Sequence, residues 1–115
     1  MSTTIYHNPR CSKSRATLQL LHERKLDTHI VEYLDTPPSR EELERLLALL
    51  GLEPRQLMRT GESEYAELGL ADESLSRDAL IEAMVAHPKL IERPIVVHNG
   101  KAALGRPPEK VLEIL

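Results

Sequence analysis

Three observations in the sequence predict an α/β domain with a mixed sheet flanked by helices. Two runs of strand-forming residues, Thr3 to His7 and His29 to Leu34, bracket a segment with helical spacing. Paired in parallel, they make an opening βαβ unit. Residues from about 36 to 90 carry helix signals and no strand signal. Asn99-Gly100 then separates Ile95–His98 from Lys101–Leu104, the strongest short hairpin signal, because both turn positions need positive φ.

The elements follow in order. After Thr3–His7, Asn8-Pro9-Arg10 reads as a turn, and a helix runs from Ser12 to about Arg24 with Thr17, Leu18 and Leu21 on one side. Asp35-Thr36-Pro37-Pro38 breaks the chain after the second strand. Ser39 with Glu42 three residues on makes a capping-box signal ahead of Leu43, Leu46, Leu47 and Leu50, and Gly51 closes that helix. Pro54 to Met58 forms a helical turn, with Arg59-Thr60-Gly61 as loop. Ser76 to Ala86 is a further helix, stopped by Pro88. After the hairpin, Pro107 and Pro108 open a last helix ending Val111-Leu112-Glu113-Ile114-Leu115. The expected organisation is one domain over 1–115, with a helical insertion at about 36–90 between its βαβ and ββα halves.

Composition narrows the function classes. With 115 residues, one domain is expected, large enough to need no disulfide or metal staple. With three tyrosines and no Phe or Trp the core is aliphatic, supplied by twenty leucines. The longest apolar run, Leu46 to Leu50, falls far short of the ~20 residues of a membrane span, and the N-terminus lacks a signal-peptide stretch. A cytoplasmic protein is therefore expected. A net charge of −3 with three aromatics gives nucleic-acid binding no support. His7, His22, His29, His87 and His98 lack metal-ligand spacing, so no metal site is expected. The Leu43–Leu50 stripe reads as core.

The single cysteine, Cys11, carries the chemistry. It lies between a strand and a helix N-terminus, where unpaired N–H groups and a partial positive charge gather. Arg10, Lys13 and Arg15 are cations within four residues; His7 offers a further charge or a hydrogen bond, and Ser14 is placed to donate its hydroxyl to the sulfur. Such surroundings favour the thiolate, the reactive form, over an inert buried thiol. Position 14 is serine, so no Cys-x-x-Cys pair exists, and Thr17 rules out a Cys-x5-Arg phosphatase loop. Any oxidised or substituted Cys11 must then be resolved by a thiol from another molecule.

Residues 5 to 15, Ile-Tyr-His-Asn-Pro-Arg-Cys-Ser-Lys-Ser-Arg, are similar to the active-site segment of the glutaredoxin-dependent arsenate reductase (ArsC) family. The likeness continues through Tyr33–Pro38, Leu57-Met58-Arg59, Tyr65–Leu70, His87–Val97 and Gly105-Arg106-Pro107, essentially the whole chain. The chain looks like the short, YfgD-type branch. The resemblance implies a thioredoxin-like (glutaredoxin-like) fold with a helical insertion. It implies arsenate reduction to arsenite through a Cys11 thiol–arsenate adduct, resolved by glutathione as co-substrate and by glutaredoxin, with no bound cofactor. It places oxyanion-binding arginines at Arg59, Arg93 and Arg106, thiolate-supporting residues at His7, Asn8 and Ser14, and the fold's cis-proline at Pro94, aiming Arg93 at the sulfur. Guanidinium forks suit a tetrahedral oxyanion, since they offer paired donors and never lose charge. Arg10, Ser12 and Lys13 depart from the small residue and Gly-Thr of the best-known members, adding cations beside Cys11.

Two other readings stay open on the residues. A glutathione-dependent thiol–disulfide oxidoreductase would use Cys11 without needing all three arginines. A non-enzymatic regulator resembling the Spx proteins is the other, although many of those carry the Cys-x-x-Cys switch that Ser14 removes.

Overall fold

The computed structural model describes residues 3–115, which divide into two compact units. One takes in the chain up to Thr36 together with Arg93–Leu115; the other is Pro37–Glu92.

The first unit holds the sheet. Strand β1 (Thr3–His7) pairs in parallel with β2 (Thr28–Glu32) and antiparallel with β3 (Ile95–His98), which pairs antiparallel with β4 (Lys101–Leu104). The order β2-β1-β3-β4 makes the sheet mixed, as the sequence predicts. Helix α1 (Ser12–Glu23) supplies the crossover that a parallel pair requires. Ile5, Leu21, Val96 and Val111 close the core between sheet and helices. Asn99 and Gly100 turn the β3–β4 hairpin with φ of 51° and 81°, the backbone that their side chains tolerate best.

Two elements of this unit differ from the sequence reading. β2 ends at Glu32, not Leu34, because the Glu32 carbonyl accepts from both Asp35 and Thr36 N–H and bends the chain away. The last helix, Pro108–Ile114, is 3₁₀ throughout. Two prolines start it, and a short segment without four-residue ladders tightens to i→i+3 bonds.

The second unit is helical. In α2 (Arg40–Leu50), the Ser39 hydroxyl accepts from Glu42 N–H at 3.1 Å, and Gly51 ends the helix at φ 68°. Helix α3 (Pro54–Leu57) is one turn; α4 (Ser63–Glu67) is a short helix absent from the sequence reading, polar and with no buried residue. Helix α5 (Arg77–Ala86), capped by Ser76, packs on α2 and α3. Leu43, Leu46, Leu47, Leu57, Ile81 and Met84 fill this core. A 3₁₀ turn, Pro88–Leu90, follows. Among the described residues, no helix is long and apolar enough to cross a membrane.

Candidate active site

The register of the sheet gathers the reactive segment and two of the arginines at one end. His7 pairs with Glu32, Tyr6 with Ile95, and Ile95 with Leu104. The turn leading to Cys11, the Arg93-Pro94 segment before β3 and the Gly105-Arg106-Pro107 segment after β4 therefore leave the same edge of the sheet, within one unit.

Local bonds shape the turn. Cys11 is the N-cap of α1, with φ −93° and ψ 123°, and no side chain caps the helix start. Its N–H donates to the Asn8 carbonyl at 3.0 Å, and Asn8 Oδ1 accepts from Arg10 N–H at 3.0 Å. Arg15 Nη1 donates to the Pro9 carbonyl at 2.9 Å. Asn8 and Arg15 thus fix the backbone that presents the cysteine. The thiol is free and partly exposed at a helix N-terminus whose first turn contains no acid.

His7 and Ser14 form the floor beneath this turn. Ser14 is fully buried; its Oγ lies 2.7 Å from His7 Nδ1, sharing one hydrogen, and accepts from Asn8 N–H at 3.0 Å. These are the partners of Ser14; among the described residues no hydrogen bond joins it to the sulfur. Burial lowers the His7 pKa below the ordinary histidine value; Glu32 opposes this and Arg15 adds to it. Of the two roles expected for His7, charge and hydrogen bond, its setting favours the second.

Arg93 and Arg106 are joined directly. Arg106 Nε donates to the Arg93 carbonyl at 2.8 Å, and Gly105 N–H donates to the Pro94 carbonyl at 2.9 Å. The Arg93–Pro94 and Arg106–Pro107 peptide bonds are both cis. Gly105 has no room for a side chain: a Cβ would meet Thr17 Oγ1 of α1 and come within 2.8 Å of Pro94 Cγ. The two arginine segments and the helix capped by Cys11 are therefore packed against one another at Gly105.

Arg59 belongs to the helical unit. Its N–H donates to the Leu90 carbonyl at 2.7 Å, beside the bridge between Met58 and Ile91. Its guanidinium pairs with Glu62 at 2.9 Å and Glu92 at 3.5 Å. The sequence reading missed both carboxylates, although the Arg59–Glu62 spacing of three was visible.

A cleft of about 330 Å³ opens beside the turn. It is lined by residues 7–10, at and after the end of β1, and by Glu32, Leu34 and Asp35, at and after the end of β2. The sequence reading assigned no role to Glu32 or Asp35.

A four-stranded mixed sheet flanked by helices, with a cysteine capping the helix after β1 and a cis-proline before β3, defines a thioredoxin-like α/β protein. The chain belongs to the ArsC family, whose model matches residues 6–114. It is 61% identical over 112 residues to the uncharacterized protein YfgD of Escherichia coli K12, covering 96% of this chain and 94% of that one. It is 53% identical over 112 residues to an arsenate reductase of Neisseria meningitidis serogroup B, covering 96% of each. Among solved structures, an arsenate reductase from Vibrio cholerae superposes with a TM-score of 0.97 at 60% identity, covering 100% of this chain and 98% of that one.

Proposed function

We propose that the chain is an oxidoreductase that reduces arsenate to arsenite through Cys11. The observation that carries this reading is the placement of the only cysteine and of Arg93 and Arg106 at one end of one sheet. The names of its relatives agree with it.

The Cys11 thiolate attacks arsenic, forming an S–As bond, and one arsenate oxygen leaves as water once protonated. Arg93 and Arg106 offset the repulsion between thiolate and anion and stabilise the charge that builds in the transition state; Arg59 is the third arginine that the family resemblance assigns to the oxyanion. Asn8 and Arg15 hold the turn, while His7 and Ser14 support it from below. With no second cysteine in the chain, glutathione supplies the next thiolate. It attacks Sγ, forming an S–S bond; the S–As electron pair stays on arsenic, reducing arsenic(V) to arsenic(III), and arsenite leaves. Glutaredoxin then attacks the glutathione sulfur and releases the Cys11 thiolate. Such chemistry belongs in the cytoplasm, where thiols are kept reduced.

The test follows NADPH consumption with arsenate, glutathione, glutaredoxin and glutathione reductase. Arsenate-dependent turnover is expected for the wild type and not for Cys11→Ser. Equal rates in the two proteins would sink the reading. Turnover of small disulfides that survives replacement of Arg93 and Arg106, with none of arsenate, would instead indicate a thiol–disulfide oxidoreductase.

A further inference from the structure

We propose that the cleft between residues 7–10 and Glu32, Leu34 and Asp35 docks the zwitterionic end of the resolving thiol. The inference rests on the reading that Cys11 is resolved by an external thiol, and it assigns the place from which that thiol attacks.

The cavity has the size of a small-ligand site, about 330 Å³, at the lower end of the ~300–1,000 Å³ typical of such pockets. Its charges are of both signs and are not spent on each other. Glu32 and Asp35 take part in no salt bridge among the described residues, and neither does Arg10. Two carboxylates and a guanidinium lining one cleft suit a ligand that carries an ammonium and a carboxylate, since each would form a charge-assisted hydrogen bond. Asn8 is 8% exposed and lines the cleft. Its Oδ1 is taken by Arg10 N–H, while its Nδ2 has no partner among the described residues and is available to a ligand carbonyl. Leu34, 36% exposed, offers an apolar surface for the ligand's methylenes.

Position adds the mechanistic link. Arg10 precedes Cys11, so their Cα atoms are about 3.8 Å apart. A peptide thiol extended at about 3.3–3.6 Å per residue reaches from this cleft to the sulfur with one or two residues. The turn is held rigid by the bonds to Asn8 and Pro9 described above, so the wall that would bind the ligand and the cysteine it attacks move together.

Because Cys11 is the only cysteine, 5-thio-2-nitrobenzoate attached as a mixed disulfide labels that sulfur alone. An incoming thiolate forms a new S–S bond there and expels the coloured thiolate, whose absorbance gives the rate. Glutathione, N-acetylcysteine and 2-mercaptoethanol are compared, each normalised to its rate with a small free disulfide. Glutathione is expected to exceed 2-mercaptoethanol by about tenfold, with N-acetylcysteine, which lacks the ammonium, between them. In Glu32→Gln/Asp35→Asn the glutathione advantage is expected to vanish while the 2-mercaptoethanol rate holds. No preference in the wild type would overturn the proposal without any variant. So would a preference that survives the double substitution, or a variant slowed equally toward every thiol. Arsenate takes no part in this assay, so a failure of arsenate reduction and a failure of the cleft are read separately.

Discussion

The Arg106 side chain donates from Nε to the main-chain carbonyl of Arg93 at 2.8 Å, so one candidate anion-binding arginine holds the backbone of the other. Lysine has no planar fork in which one nitrogen holds a backbone carbonyl while the charge stays delocalised, so it cannot reproduce this bond. Arg106→Lys keeps the charge and loses the brace. It is expected to lower kcat/KM for arsenate by roughly tenfold or more, with Arg106→Gln lower still. Steady-state kinetics in the coupled assay check this, and a lysine variant as active as the wild type would count against the role of the brace.

Gly105 is the contact point between Pro94 and Thr17. Gly105→Ala forces a methyl group toward Thr17 Oγ1 and the Pro94 ring, and overpacking of that kind costs about 1–3 kcal/mol. Urea denaturation is expected to show the midpoint falling with an unchanged slope. A variant as stable as the wild type would mean that the loop yields without strain.

His7 ties folding to pH. Burial lowers its pKa in the folded protein below the ordinary value of 6.5, so the unfolded chain binds the proton more readily. Its contribution is present above the unfolded pKa and is lost as pH falls through the lowered folded one. Stability is therefore expected to decline as pH drops below about 6.5. Denaturation midpoints between pH 7.5 and 5 should show a shallower decline for His7→Gln. Identical slopes would remove His7 from the account.

Ser14 has no exposed surface and two partners. Ser14→Ala leaves Asn8 N–H and His7 Nδ1 short of a bond inside the protein, at a cost of about 1–3 kcal/mol. Because these bonds shape the turn that presents the thiol, modification of Cys11 by iodoacetamide is expected to change as well. An alanine variant with unaltered stability and thiol reactivity would limit Ser14 to space filling.

Much of the fold was legible because its signals are local. A serine three residues ahead of the amide it caps placed α2, and Asn99-Gly100 placed the hairpin, since each acts through the backbone beside it. Helix α4 escaped notice because five residues with no buried face carry no periodic signal. The helix expected after Pro107 exists, but its 3₁₀ winding depends on hydrogen bonds that composition does not specify.

The sequence by itself determined the cysteine's address, between a strand and a helix, and the cations beside it. A lone thiol has no partner within the chain, so any thiol that resolves it comes from another molecule, whatever the fold around it. Only the tertiary structure decided which segments share that cysteine's end of the sheet. Arg106 clasps Arg93 across thirteen residues, and Glu32 and Asp35 share a cleft with Arg10 because β2 lies beside β1. Side-chain alternation says which face a strand buries, not which strand lies beside it, so pairings distant in sequence emerge only when the core closes.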